Sequence, residues 1–179
     1  LPAITELIAA GVNINVTLLF SVERYRAVVD AWLAGLEQRV KAGKPIGSVA
    51  SVASFFLSRI DTLVDAKLDA LATNQAQAQR GRAAIASAKL AYQHYKEWIA
   101  SPRWQALAAN GVRPQRLLWA STSSKDPAYQ DTMYVEALIA PNTVNTLPPA
   151  TVDAYRDHGD PAVRIEDDVA GAKQTVQAL

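Results

Sequence analysis

The stretch VNINVTLLF (residues 12–20), followed by VERYRAVVDAWLAGLEQRVKAG (residues 22–43) and PIGSVASVASFFLS (residues 45–58), decides the fold class. The first run is rich in β-branched residues and follows a glycine stop at Gly11, so it reads as a buried strand. The second places Tyr25, Val28, Val29, Trp32, Leu33, Leu36 and Val40 at helical spacing and stops at Gly43. The third is again strand-like. Strand, helix and strand in succession make a parallel βα unit, because parallel pairing needs a crossover of about this length.

Upstream, LPAITELIAAG (residues 1–11) reads as a helix already under way, with Leu1, Ile4, Leu7 and Ile8 on one face. That start reads as a cut rather than a natural N-terminus. Downstream, about Ile60 to Ala109 is alanine-rich and helical, broken near Ala72 to Asn74 and again at Ser101 and Pro102. Asn110 and Gly111 stop this enlarged crossover before a third strand, RLLWAST (residues 116–122). A polar loop, a short helix YVEALIA (residues 134–140) and a fourth strand TVNTLPPAT (residues 143–151) follow. Two helices complete the chain, over ATVDAYRDHG (residues 150–159) and PAVRIEDDVAGAKQTVQAL (residues 161–179). Four βα units with right-handed crossovers amount to half of a parallel (β/α)8 TIM barrel, an α/β fold, with catalytic groups expected at the C-terminal ends of the strands.

Half of the 179 residues are apolar, and 18 basic against 17 acidic residues leave a net charge of +1. A single globular domain over residues 1–179 is expected, without a nucleic-acid groove or a polybasic membrane patch. The absence of cysteine excludes disulfides and thiolate metal sites, and two histidines, His94 and His158, are too few for zinc chemistry. No metal or cofactor is expected. With no apolar run of membrane-spanning length and no export signal, the expectation is a cytoplasmic enzyme or scaffold.

Alternation along a barrel strand sends residues i and i+2 to the same face, so polar pairs near strand ends are site candidates. Asn15 and Thr17 meet that test, with a hydrogen-bonded pair in a barrel layer as the plainer alternative. Ser54 and Phe56 end the next strand, and Arg59 follows where an anion could be gripped by its planar fork, unless it is an exposed salt-bridge partner. Ser121 to Lys125 place hydroxyls and an ammonium after the third strand, either a sugar-phosphate loop or an ordinary polar turn. Asn145 and Thr146 are a weaker signal. His94 reads as part of an outer helix, His158 as a cap, and Trp98 and Trp104 as packing anchors. Glu166, Asp167 and Asp168 are expected in the first turn of the final helix, where negative charge complements the macrodipole.

Three stretches together resemble transaldolase: NINVTLLFS (residues 13–21), SVASFFLSRID (residues 51–61) and RLLWASTSSKDPAYQDTMYVEALIAPNTVNTLPP (residues 116–149). RGRAAIASAKLAYQHYKE (residues 80–97) is similar to the branch that includes bifunctional transaldolase and glucose-6-phosphate isomerase proteins. The resemblance implies that the chain is the last four βα units of the barrel, cut at its N-terminal side and short at its C-terminal end. It also implies transfer of a dihydroxyacetone unit between ketose and aldose phosphates through a lysine Schiff base, in the pentose phosphate pathway. Sedoheptulose 7-phosphate or fructose 6-phosphate would be donors, and erythrose 4-phosphate or glyceraldehyde 3-phosphate acceptors.

By the same resemblance, Asn15 would hydrogen-bond the ketose, Thr17 would hold the catalytic water and Ser54 would contact the Schiff-base region. Phe56 would shape the pocket and Arg59 would clamp the phosphate. Where many members have serine and then arginine two residues on, this chain has Ser121 and Ser123, so Ser121 and Lys125 are the expected second phosphate contacts. The family's Schiff-base lysine lies on a strand upstream of Leu1. Lys125 is the only lysine here near a strand end, and a solvated loop lysine is a poor nucleophile at neutral pH. The alternative to an enzyme is a catalytically empty half-barrel that binds sugar phosphates or serves as a scaffold. An open half-barrel should self-associate or pair with the missing N-terminal half.

Overall fold

The structure, a computed structural model, describes residues 1–179. Helix α1 (Pro2–Ala10) ends at Gly11, whose φ of 88° lets the N–H groups of Gly11 and Val12 turn back onto the Ile8 and Leu7 carbonyls. Strand β1 (Ile14–Leu19) leads into α2 (Val22–Lys41), capped by the Ser21 hydroxyl, which accepts from the Arg24 N–H. Next come β2 (Ser51–Phe56), α3 (Ser58–Leu71), the single turn α4 (Asn74–Gln77), α5 (Ala83–Ile99) and α6 (Pro102–Ala108). The chain finishes with β3 (Arg116–Ala120), α7 (Met133–Glu136), β4 (Val144–Asn145), α8 (Pro149–His158) and α9 (Val169–Ala178).

The four strands form one parallel sheet in the order β1-β2-β3-β4. Sequential order without a switch point is what a barrel wall requires, whereas a doubly wound sheet reverses direction from its first strand. Registered neighbours in a parallel sheet share a face. Ala53 and Leu117 are level, as are Phe55 and Trp119, and all four are buried under the helices. The same layer holds Trp32, Leu36, Tyr25 and Tyr95 of α2 and α5. The Trp98 indole donates to the Tyr25 hydroxyl, and Trp98 meets Trp104 edge-on with ring centroids 5.1 Å apart, so both tryptophans are packing anchors. No helix is long and apolar enough to cross a membrane.

Several sequence expectations need correction. Strand β1 is half exposed rather than buried, with Leu19 alone fully buried and Ile14 and Val16 packed partly against the core, because it lies at the edge of the sheet. Leu1 and Leu7 are exposed, and α1 buries only Ile8 fully. Strand β4 shrinks to two residues, since Pro148 and Pro149 start α8. Glu166 and Asp167 precede the last helix instead of forming its first turn, and Asp168 is its N-cap, accepting from the Gly171 N–H. Glu166 instead pairs with Lys96 across to α5. His158 is no cap; it closes α8 and bridges Asp131 and Asp157.

Candidate functional site

The face of the sheet turned away from the helices carries Asn15, Val52, Ser54, Phe56, Arg116, Leu118, Ala120 and Val144, as the strand registers require. Asn15 stands near the start of β1, level with Val52, rather than at the strand's end. Ser54, 2% exposed, reaches back from the next strand, and its hydroxyl donates to the Asn15 amide oxygen at 2.6 Å. With its oxygen engaged, the exposed Asn15 amide presents its NH2 group as a donor to the open face.

Beyond Val16 the pairing slips. Val16 is level with Ala53 and Leu19 with Phe55, so β1 spends one extra residue, and Leu18 takes a left-handed φ of 62° there. Thr17 is exposed beside this bulge on the same strand as Asn15. Leu18 and Phe20 are left 54% and 42% exposed, and the Phe20 ring leans on Phe56 with centroids 5.4 Å apart. Left-handed backbone at a leucine is costly and is found mostly where surrounding structure demands it.

Arg59 occupies the first turn of α3, immediately after β2. Its guanidinium carbon lies 5.0 Å from the Phe56 ring centroid, and the side chain is exposed. Phe20, Phe56 and Arg59 thus form a short column at the C-terminal ends of β1 and β2, in which a ring, not a carboxylate, steadies the cation. An anion arriving there meets an unquenched fork of donors.

Ser121 follows β3 with a left-handed φ of 57° and is tied to the β2–α3 turn twice. Its carbonyl accepts from the Ser58 N–H at 3.0 Å, and its hydroxyl lies 2.9 Å from that of Ser58, the residue before Arg59. Lys125 is set apart from this group. Its ammonium donates to the Ser123 hydroxyl at 2.7 Å and borders a cleft of about 360 Å³ shared with Asp61, Asp65, Asp69 and Asp126. Asn145 faces the helices with its amide oxygen buried and unpartnered, whereas the Thr146 hydroxyl donates to the Trp119 carbonyl and serves the sheet. His94 lies on α5 beside Glu97 and edge-on to Tyr25; burial holds its imidazole below the usual range.

The structure therefore brings Asn15 together with Ser54, Phe56 with Arg59, and Ser121 with the turn that bears Arg59. Ser58 and Phe20, unremarked in the sequence, are the partners that join these pairs. A hydroxyl beside the arginine was the available signal for Ser58; nothing local pointed to Phe20.

Fold and site together define a parallel β/α-barrel wall with a polar and aromatic inner face and an exposed arginine at the strands' C-terminal end. The profile of the transaldolase/fructose-6-phosphate aldolase family matches residues 1–179, and the chain belongs to that family. It is 57% identical to a protein named transaldolase from Frankia alni and 59% identical to one from Thermobifida fusca, each over 89% of this chain and 43% of the relative. It is 53% identical, over all of this chain and 49% of the relative, to transaldolase 2 of a Nostoc species. The chain thus spans about half the length of the curated relatives it matches.

Proposed function

We propose that the polypeptide containing this chain is a transaldolase of the pentose phosphate pathway in the cytoplasm, and that this chain supplies the sugar- and phosphate-binding side of its site. The observation that carries the reading is the exposed Arg59 held over Phe56 at the barrel mouth, in a chain whose relatives are named transaldolase.

In this reading a lysine outside the chain attacks the ketone of sedoheptulose 7-phosphate, and loss of water leaves an iminium ion. Cleavage of the C3–C4 bond sends its electron pair into the iminium to form an enamine, while the C4 hydroxyl loses its proton as erythrose 4-phosphate departs. The enamine carbon then attacks the aldehyde of glyceraldehyde 3-phosphate, and hydrolysis releases fructose 6-phosphate and the free lysine.

The groups of this chain orient the substrate and manage protons. Asn15, its amide oxygen taken by Ser54, offers N–H donors to the ketose hydroxyls. Thr17 holds the water that carries protons, and Phe56 gives the pocket an apolar wall. Arg59 is the principal phosphate ligand, with Ser121 beside it. Lys125 contributes less, because the four carboxylates of its cleft compete for its charge.

Borohydride reduction in the presence of fructose 6-phosphate tests the reading, since it traps a lysine Schiff base as a stable secondary amine. The full polypeptide should be labelled and the 179-residue chain alone should not. Labelling of Lys125 in the isolated chain would overturn its assignment to phosphate. No labelling of either would favour a sugar-phosphate-binding scaffold.

A further inference from the structure

Helix α3 carries Asp61, Asp65 and Asp69 four residues apart, hence on one stripe. They reach across to the segment that joins α4 to α5 and to the first turn of α5. Asp61 accepts from the Ala84 N–H at 2.8 Å, Asp65 accepts from the Gly81 N–H at 3.0 Å, and Asp69 takes the Arg80 guanidinium at 3.2 Å.

The first two carboxylates use their second oxygen on helix α7 and on the loop between β3 and α7. The Tyr134 hydroxyl donates to Asp61 and the Tyr129 hydroxyl donates to Asp65, both at 2.7 Å. Arg80 adds a third tie, bridging Asp69 to Asp126 of the same loop, the latter at 2.9 Å. Asp61 and Asp65 are 1% and 6% exposed, so neither is a solvated surface charge.

Buried carboxylates are costly unless their oxygens are satisfied, and here the satisfaction is complete and directional. Burial, followed by the nearby Asp65, pushes the Tyr129 hydroxyl well above the usual tyrosine range, so it remains a donor at any physiological pH. Gly81 fits the same device. Its φ of 69° is left-handed, and a Cβ there would stand 2.8 Å from the Tyr129 ring.

The stripe begins two residues after Arg59, and the loop it grips contains Ser121, Ser123 and Lys125. We infer that the Asp65–Tyr129 and Asp61–Tyr134 pairs are positioning residues that fix the β3–α7 loop and the start of α7 against α3, holding Ser121 beside the Arg59 turn for one phosphate group. This rests on the phosphate role of Arg59 given above. Tyr129 touches no substrate in this scheme and acts through the loop.

The test uses Tyr129→Phe, which keeps the ring and deletes only the donor, and Gly81→Ala, which displaces the same ring without deleting any hydroxyl. In the 179-residue chain, amide exchange of residues 121–132 should quicken about tenfold in Tyr129→Phe while exchange in α2 and α5 stays unchanged. In the full polypeptide, the preference in kcat/KM for fructose 6-phosphate over unphosphorylated fructose should fall about fivefold in both variants, through KM rather than kcat. Arg59→Ala should abolish that preference. If Arg59→Ala abolishes it and both ring variants leave it intact, the positioning role is wrong. If Arg59→Ala itself leaves it intact, the phosphate reading fails and the positioning role falls with it. Unchanged exchange in the loop would overturn the clip irrespective of the kinetics.

Discussion

At the scale of single residues, the candidate site occupies one side of a polar or charged group and leaves the other exposed. Ser54 takes the Asn15 oxygen and leaves its NH2 outward; Phe56 supports Arg59 without neutralising it. His158 shows a residue whose charge is committed to structure. Its ring lies 2.9 Å from Asp131 and 3.2 Å from Asp157, and these carboxylates raise its pKa above the ordinary 6.5. A raised folded-state pKa contributes stability that is fully present below 6.5 and is lost as pH rises through the folded value. The unfolding midpoint should therefore drop more between about pH 6 and about pH 9 in the native chain than in His158→Gln. The difference should be small and should shrink in high salt, since all three groups are exposed. Equal pH slopes at low salt would show that the contact is absent in solution.

At the scale of elements, α1 packs tightly against α2. Gly35 makes it possible: a Cβ there would lie 2.6 Å from the Ile8 Cβ and 2.8 Å from the Thr5 carbonyl oxygen. The Thr5 hydroxyl donates to the Ala31 carbonyl on the same face, a second tie between the helices. Gly35→Ala should destabilise the chain by about 1–3 kcal/mol in urea unfolding despite alanine's better helix propensity, because overpacking outweighs a propensity gain of about 1 kcal/mol. A stabilised variant would mean that α1 does not hold this crossing in solution. The helices themselves were legible from periodicity, since Tyr25 to Leu36 bury the side that their spacing marks, while Val40 is exposed in the last turn of α2. The short elements were not. Strand β4 and helix α7 are each only a few residues long, and their limits depend on what they pair with rather than on any period of their own.

At the scale of the whole molecule, the sheet has helices on one face and leaves the other open. Strands β1 and β4 are its edges, and Leu18 and Phe20 stand exposed on or beside β1. Exposed edges and apolar side chains together favour pairing with another sheet. Sedimentation of the 179-residue chain should show concentration-dependent association at about micromolar levels. A folded monomer throughout that range would contradict it. The sequence by itself determined the alternation of strands and helices, the place of Arg59 just after a strand, and a motif set specific enough to carry the family. These are local patterns, repeated every two or four residues or contiguous along the chain. Only the tertiary structure decided which sheet face stays open, where β1 bulges at Leu18, and that Asp61 and Asp65 meet tyrosines 73 and 64 residues away. Such pairings arise from how crossovers bring distant segments into register, and no local period encodes that distance.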